Sequence, residues 1–152
     1  MKSVTGIFFE SKARYERMTE DGTQVKFNGL FVVDAQSFTE CEKVMNEELP
    51  SFVSGEFEIL TEGYAAYKEI FFSENEGDDR WYKTKVCFIT LDEKTNKQKR
   101  TKVVYLVQAA SIEGARKNVD EVMSGSMTDY DIVGLNEVYI EDVFLRKEKT
   151  DD

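Results

Sequence analysis

The chain of 152 residues has no histidine. That removes the usual general base, the commonest metal ligand and the side chain that ordinarily titrates near neutrality. A serine or cysteine nucleophile paired with histidine is excluded. Cysteine is scarce: Cys41 and Cys87 are the only two, with no CxxC spacing, so no zinc site is expected. Two such thiols fit a reducing compartment, each buried as a small hydrophobe. Neither GxxxxGK[ST] nor GxGxxG occurs, so phosphate-loop and dinucleotide sites have no support. No stretch approaches the roughly 18 apolar residues of a membrane span. The first residues, Met1-Lys2-Ser3-Val4-Thr5-Gly6, have no long apolar run, so no secretion signal is expected. The expectation is a cytoplasmic, non-enzymatic protein with no cofactor, no metal and no membrane partner.

What is present is charge and a moderate core. Charged residues make up 33% of the chain and hydrophobic ones 41%, of which the aromatics supply 12%. That composition suits one packed domain or two small fused half-domains. The net charge is −10, from 20 bases and 30 acids. The total argues against a wholesale polycation but leaves a segregated basic patch open.

The chain also repeats itself. Phe8-Phe9-Glu10-Ser11-Lys12-Ala13-Arg14-Tyr15 aligns with Trp81-Tyr82-Lys83-Thr84-Lys85-Val86-Cys87-Phe88, an offset in numbering of 81 − 8 = 73. Phe31–Phe38 aligns with Tyr105–Ile112 at an offset of 105 − 31 = 74, so the second turn is longer by one. Glu56-Phe57-Glu58-Ile59 over Asp129-Tyr130-Asp131-Ile132, and Tyr67–Phe71 over Ile140–Phe144, return to the first offset. Residues 1–73 and 80–145 are therefore two half-repeats. Between them lies the acidic linker 74–79, and 146–152 is a flexible tail. The halves are expected to form one compact domain.

Each half opens on an alternating strand, with Phe9, Ala13 and Tyr15 on one side and Phe8, Lys12 and Arg14 on the other. A polar turn and a return strand follow, at 25–34 and 100–108. A helix starts at the capping box Ser37-Phe38-Thr39-Glu40. Its apolar face is Phe38, Cys41, Met45 and Leu49, and Pro50 marks its expected stop. In the second half Ser111 caps a helix with Ile112, Ala115, Val119, Val122 and Met123 on its apolar face, and Gly125 is its stop signal. Shorter strands close the halves, at 56–61 and 66–72, then 129–133 and 138–145. The fold class is α+β: tandem duplicated ββαββ halves, in the order ββα-ββββ-α-ββ, forming antiparallel sheets with two helices packed on one face.

Several segments carry a resemblance: Asp34-Ala35-Gln36-Ser37-Phe38-Thr39-Glu40, Ser54-Gly55-Glu56-Phe57, Glu69-Ile70-Phe71-Phe72-Ser73 and Arg80-Trp81-Tyr82-Lys83-Thr84-Lys85-Val86. Over nearly its whole length the chain resembles a family of uncharacterised proteins of Bacteroidetes and their phages, including crAss-like phages. The resemblance implies a setting in gut bacteria or their mobile elements, and no catalytic residues. A second likeness is topological: from its third strand the chain reads ββββα, the repeat of Pur-type and Whirly-type single-strand-binding folds, although none of their motifs is matched.

Charge is distributed unevenly. From Arg80 to Tyr105 there are eight bases and two acids, a local charge of +6 against −16 for the remainder. Trp81, Lys83 and Lys85 share one face of the first strand of this hairpin. Rings interleaved with cations suit single-stranded nucleic acid, since bases stack on rings and cations neutralise phosphates. The candidate site is Trp81 and Phe8 as stacking rings, with Lys83, Lys85, Lys97, Lys99, Arg100 and Lys102 on phosphates and Lys12 and Arg14 extending the track. Edge lysines that discourage aggregation, and a Trp81 that fills an interface, are the bland readings beside it. The rival function is an acidic interaction module: an adaptor, or a host-directed or anti-defence inhibitor that mimics DNA charge. A replication or host protein is a possible partner, and a homodimer is open. Glu40, Glu42, Glu47 and Glu48 read as a cap and a solvated helix face. Tyr64, Tyr67, Phe71 and Phe72 read as core strand residues.

Overall fold

A computed structural model describes residues 1–146. Nine strands and two helices follow in the order β1 (Lys2–Thr5), β2 (Phe8–Met18), β3 (Gln24–Asp34), α1 (Phe38–Phe52), β4 (Phe57–Tyr64), β5 (Tyr67–Phe72), β6 (Arg80–Asp92), β7 (Lys97–Ala109), α2 (Ile112–Met123), β8 (Asp129–Val138) and β9 (Asp142–Phe144) among the described residues. The fold is α+β. Contacts divide it into two units. One comprises Met1–Thr5 and Tyr67–Tyr139; the other comprises Gly6–Ala66 and the described residues from Ile140 on.

In the first unit a five-stranded sheet runs β1-β5-β7-β6-β8; in the second a four-stranded sheet runs β4-β2-β3-β9. Most pairs are antiparallel, as expected from the consecutive strands. Each sheet also carries one parallel pair, β5 with β7 and β9 with β3. The closing strand of each sequence half thus pairs with the return strand of the other half. Segment 74–79 accordingly joins β5 to β6 inside one unit, and the sequence halves and the contact units are cut at different places. Parallel neighbours need a long connection, which hairpin-to-hairpin reading along the chain does not reveal. Strand β1, absent from the expected order, adds to the outer edge of β5. Of the expected tail, Arg146 lies 3.8 Å from Glu40, and 147–152 lie outside the described residues.

The two sheets repeat the same register. Tyr15 faces Phe57, and the repeat counterparts of these two, Phe88 and Tyr130, face each other in turn. Phe31 faces Asp142, while its counterpart Tyr105 faces Glu69. Both sheets shift register at one corresponding place, between Lys12 and Ala13 against β4 and between Lys85 and Val86 against β8, and the five-stranded sheet shifts again between Tyr67 and Glu69. The left-handed turn residues also correspond: Gly22 (φ 85°) and Asn96 (φ 58°).

One helix covers one face of each sheet. Ser37 Oγ accepts from Glu40 N at 3.1 Å, and Ser111 Oγ from Gly114 N at 3.1 Å, each satisfying a first-turn donor. Glu40 reaches back to Gln36 N at 3.0 Å. Helix α1 runs two residues past Pro50; the proline withholds one N–H, and Val53 N still closes on Leu49 O at 2.9 Å. Helix α2 ends without a left-handed glycine: Ser124 keeps a helical backbone and Gly125 has no positive φ. Beneath α1, Cys41, Met45 and Leu49 pack with Phe9, Ala13, Tyr15, Phe31 and Phe144. Beneath α2, Val119 and Met123 pack with Phe71, Val86, Tyr105 and Val107, and Ala115 with Tyr82 and Ala109. Both cysteines are free and buried.

Candidate nucleic-acid interface

The register of β6 and β7 assigns every hairpin side chain to a face. Trp81, Lys83, Lys85, Cys87 and Ile89 stand opposite Gln108, Leu106, Val104, Lys102 and Arg100, and directly opposed residues share a face. Lys83, Lys85, Arg100 and Lys102 therefore lie on the face away from α2. Thr90 opposes Lys99 and Asp92 opposes Lys97, which puts Lys97 and Lys99 on the other face. The expected cations are thus brought into one hairpin but split between its faces.

Strand length sets how far this ribbon extends. Strand β8 accompanies β6 only as far as Ile89, and β5 accompanies β7 only from Val104 to Val107. Beyond Ile89 the hairpin is two-stranded. Lys85, Lys94, Lys97, Lys99, Arg100 and Lys102 are exposed, while Lys83 is half-buried. Among the described residues, the one ion pair on these cations is Arg100 with Asp131 at 3.3 Å, an exposed pair worth little. At the turn, Asp92 accepts from Lys94 N at 3.0 Å through its side chain and from Asn96 N at 2.7 Å through its carbonyl. The turn thus occupies one of the hairpin's two acids. Gly134, opposite Lys85 on β8, leaves room for the lysine stem: a Cβ there would lie 3.4 Å from Lys85 Cδ.

The two proposed stacking rings are buried. Trp81 is 8% exposed and meets Phe72 edge-on at 5.3 Å; Phe8 is 1% exposed. Neither offers a free face to a base, so the stacking role is withdrawn from both. Alternation shows which face a ring occupies, not whether that face is covered. Here it is: Cys87, Leu106, Ile70 and Val4, also turned away from α2, are buried as well.

Lys12 and Arg14 are exposed on β2, in the second unit, and do not belong to the β6–β7 ribbon. Arg14 Nε donates to Asn28 Oδ1 at 3.2 Å. Of the four rings read as core, Tyr67 and Phe71 are buried and Phe72 is half-buried, but Tyr64 is 64% exposed. Its place at the outer end of edge strand β4 explains the difference. The thiol of Cys41 is pushed up to about 12, first by burial and then by the charges of Glu62 and Glu42, so it is protonated and unreactive near neutrality. Among the described residues, no group of three acids or thiols is arranged to hold a metal ion, and no helix is long and apolar enough to cross a membrane.

No curated protein and no solved structure matches the chain. A family model described as a domain of unknown function, DUF4494, matches residues 7–147. That span covers both helices and both hairpins, and the chain belongs to the DUF4494 family.

Proposed function

We propose that this protein binds nucleic acid through the β6–β7 ribbon, without catalysing a reaction on it. The observation that carries the reading is the ribbon itself: a hairpin that outruns its neighbouring strands and bears exposed cations on both faces, in a chain of net charge −10. Lys85, Arg100 and Lys102 on one face, and Lys97 and Lys99 on the other, contact phosphates. Lys83 contributes from the base of the ribbon. Each phosphate neutralised releases counterions, so affinity falls steeply with salt. The acidic remainder keeps binding weak and favours docking beside a replication partner.

Single-stranded DNA was the expected ligand because of the rings. With Trp81 and Phe8 buried, that preference loses its stacking argument, and the cations carry the proposal. A two-stranded ribbon also fits the major groove of a duplex, about 12 Å wide. The setting, a phage or mobile-element gene acting in the cytoplasm of a Bacteroidetes host, belongs to the same proposal.

The test is a titration of labelled single- and double-stranded oligonucleotides at about 50 mM salt, where phosphate contacts are strong. Binding is expected for the native chain and its loss for the variant Lys83→Glu, Lys85→Glu, Lys99→Glu, Arg100→Glu. No binding to either form sinks the proposal. Unchanged affinity in the variant moves the site off the ribbon.

A further inference from the structure

The second unit holds a surface that its internal counterpart lacks. Phe9, Phe38 and Tyr64 meet as three rings, with centroids 5.0, 4.6 and 4.9 Å apart. Phe9 is fully buried, whereas Phe38 and Tyr64 are 44% and 64% exposed. Beside them, between α1 and β4, lies an open cavity of about 310 Å³ lined by Phe38, Glu42, Ile59, Leu60, Thr61 and Glu62. Glu62 Oε1 is buried there with no hydrogen-bond partner. Burial, and then the charge of Glu42, raises the Glu62 carboxyl above the ordinary carboxylate range. Among the described residues, neither acid is in an ion pair.

The repeat supplies an internal control. By the offset of the helices, the counterparts of Phe38, Cys41 and Glu42 are Ile112, Ala115 and Arg116. By the offset of the closing strands, those of Glu62 and Tyr64 are Leu135 and Glu137. Leu135 is half-buried and packs against the buried cluster of Tyr82, Ala109 and Ala115. The scaffold is thus satisfied by a leucine where the second unit places a partly desolvated carboxylate. A buried acceptor without a donor is costly, and the counterpart shows that the fold does not demand one.

We propose that this cavity receives an arginine side chain from an extended segment of a protein partner. Charge complementarity selects the occupant. A guanidinium donates to the Glu62 carboxylate in a planar fork and lies over the exposed rings of Phe38 and Tyr64, while Glu42 adds a second negative charge. Strand β4 is the last strand of its sheet, so its outer edge offers main-chain groups to an extended peptide.

The probe is an acetylated, amidated pentapeptide with arginine at its centre, titrated into the full chain and followed by backbone amide chemical shifts. Versions with citrulline and with lysine are run beside it. Shifts are expected at Phe38, Glu42, Glu62 and Tyr64. Citrulline is expected to weaken binding about tenfold or more, because the charge-assisted pair is lost. Glu62→Leu, which copies the counterpart residue and so suits the fold, is expected to do the same, and Glu47→Gln on the same helix to leave affinity unchanged. No binding at millimolar peptide, equal binding of citrulline or lysine, or unaltered affinity in Glu62→Leu would each overturn the assignment.

Discussion

The β2–β3 and β6–β7 hairpins have the same unbroken register, turn through corresponding left-handed residues, and shift register at corresponding places only against their neighbours β4 and β8. Their charges differ. Residues 14–28 hold three bases and three acids; the corresponding residues 87–102 hold five bases and two acids. The use of those charges differs too. In the first hairpin Arg17 is bound to Glu141 at 2.7 Å and lies 3.9 Å from the Phe27 ring centre, and Arg14 is held by Asn28. In the second, Lys97, Lys99 and Lys102 have no ion-pair partner among the described residues. A shared backbone accounts for the shape of both hairpins. It does not account for cations accumulating on one of them, where like charges repel and weaken the ribbon slightly.

The comparison breaks most visibly in the cores. Phe31 is fully buried between Phe144, at 5.4 Å, and Phe52, at 5.2 Å. Its counterpart Tyr105 packs on Phe71 at 5.0 Å. Phe31→Ala is expected to destabilise by about 3–5 kcal/mol, read by urea unfolding. Amide exchange in the same variant should be accelerated more in β2, β3 and α1 than in β6, β7 and α2. Uniform acceleration would show that the two contact units open as one. The helix caps should behave alike: Ser37→Ala and Ser111→Ala each remove an equivalent bond and are each expected to cost about 1 kcal/mol. A difference between them well beyond experimental error would mean that the caps are not equivalent.

The smallest expected effect concerns Glu62, the acid in the place of Leu135. Its folded value lies above its unfolded one. The protonated form is therefore favoured in the fold, and this contribution is complete below the unfolded value, about 4.3, and lost as pH rises through the folded value. Glu62→Leu removes that loss. Relative to the native chain, the variant should gain stability as pH rises from about 4, and the gain should level off once Glu62 is ionised. Thermal melts across this range check it, and a constant difference would show that Glu62 is not desolvated.

Local signals in the sequence were sufficient for much of this architecture. The alternation of Phe9, Ala13 and Tyr15, the Ser37 and Ser111 caps and the helical spacing of Cys41, Met45 and Leu49 act within a few residues and appear as read. The exchange of β5 and β9 between hairpins is not local. Glu69-Ile70-Phe71 and Asp142-Val143-Phe144 are apolar enough to be strands, but nothing in their periodicity names a partner. The same limit applies to the site. The exposed lysines of 97–102 were legible because a charged hairpin tip has nowhere to be buried. Trp81 and Phe8 are buried and offer no platform, because alternation along a strand gives the face of a ring and not its exposure. The departure of Glu62 from Leu135 was present in the repeat alignment, but it acquires meaning only once Leu135 is seen in a core.

We propose that the second hairpin, and not the scaffold it shares with the first, is the polyanion site. The direct measurement is the salt dependence of oligonucleotide affinity in the native chain and in Lys97→Thr, Lys99→Val, Lys102→Asn, which installs the residues found at the corresponding places in the first hairpin. Each phosphate contact contributes about 0.7–0.9 to the slope of log affinity against log salt. The variant is expected to bind more weakly, with a slope shallower by about two to three. An unchanged slope, or no binding by the native chain at about 50 mM salt, where such contacts are strong, would contradict the claim.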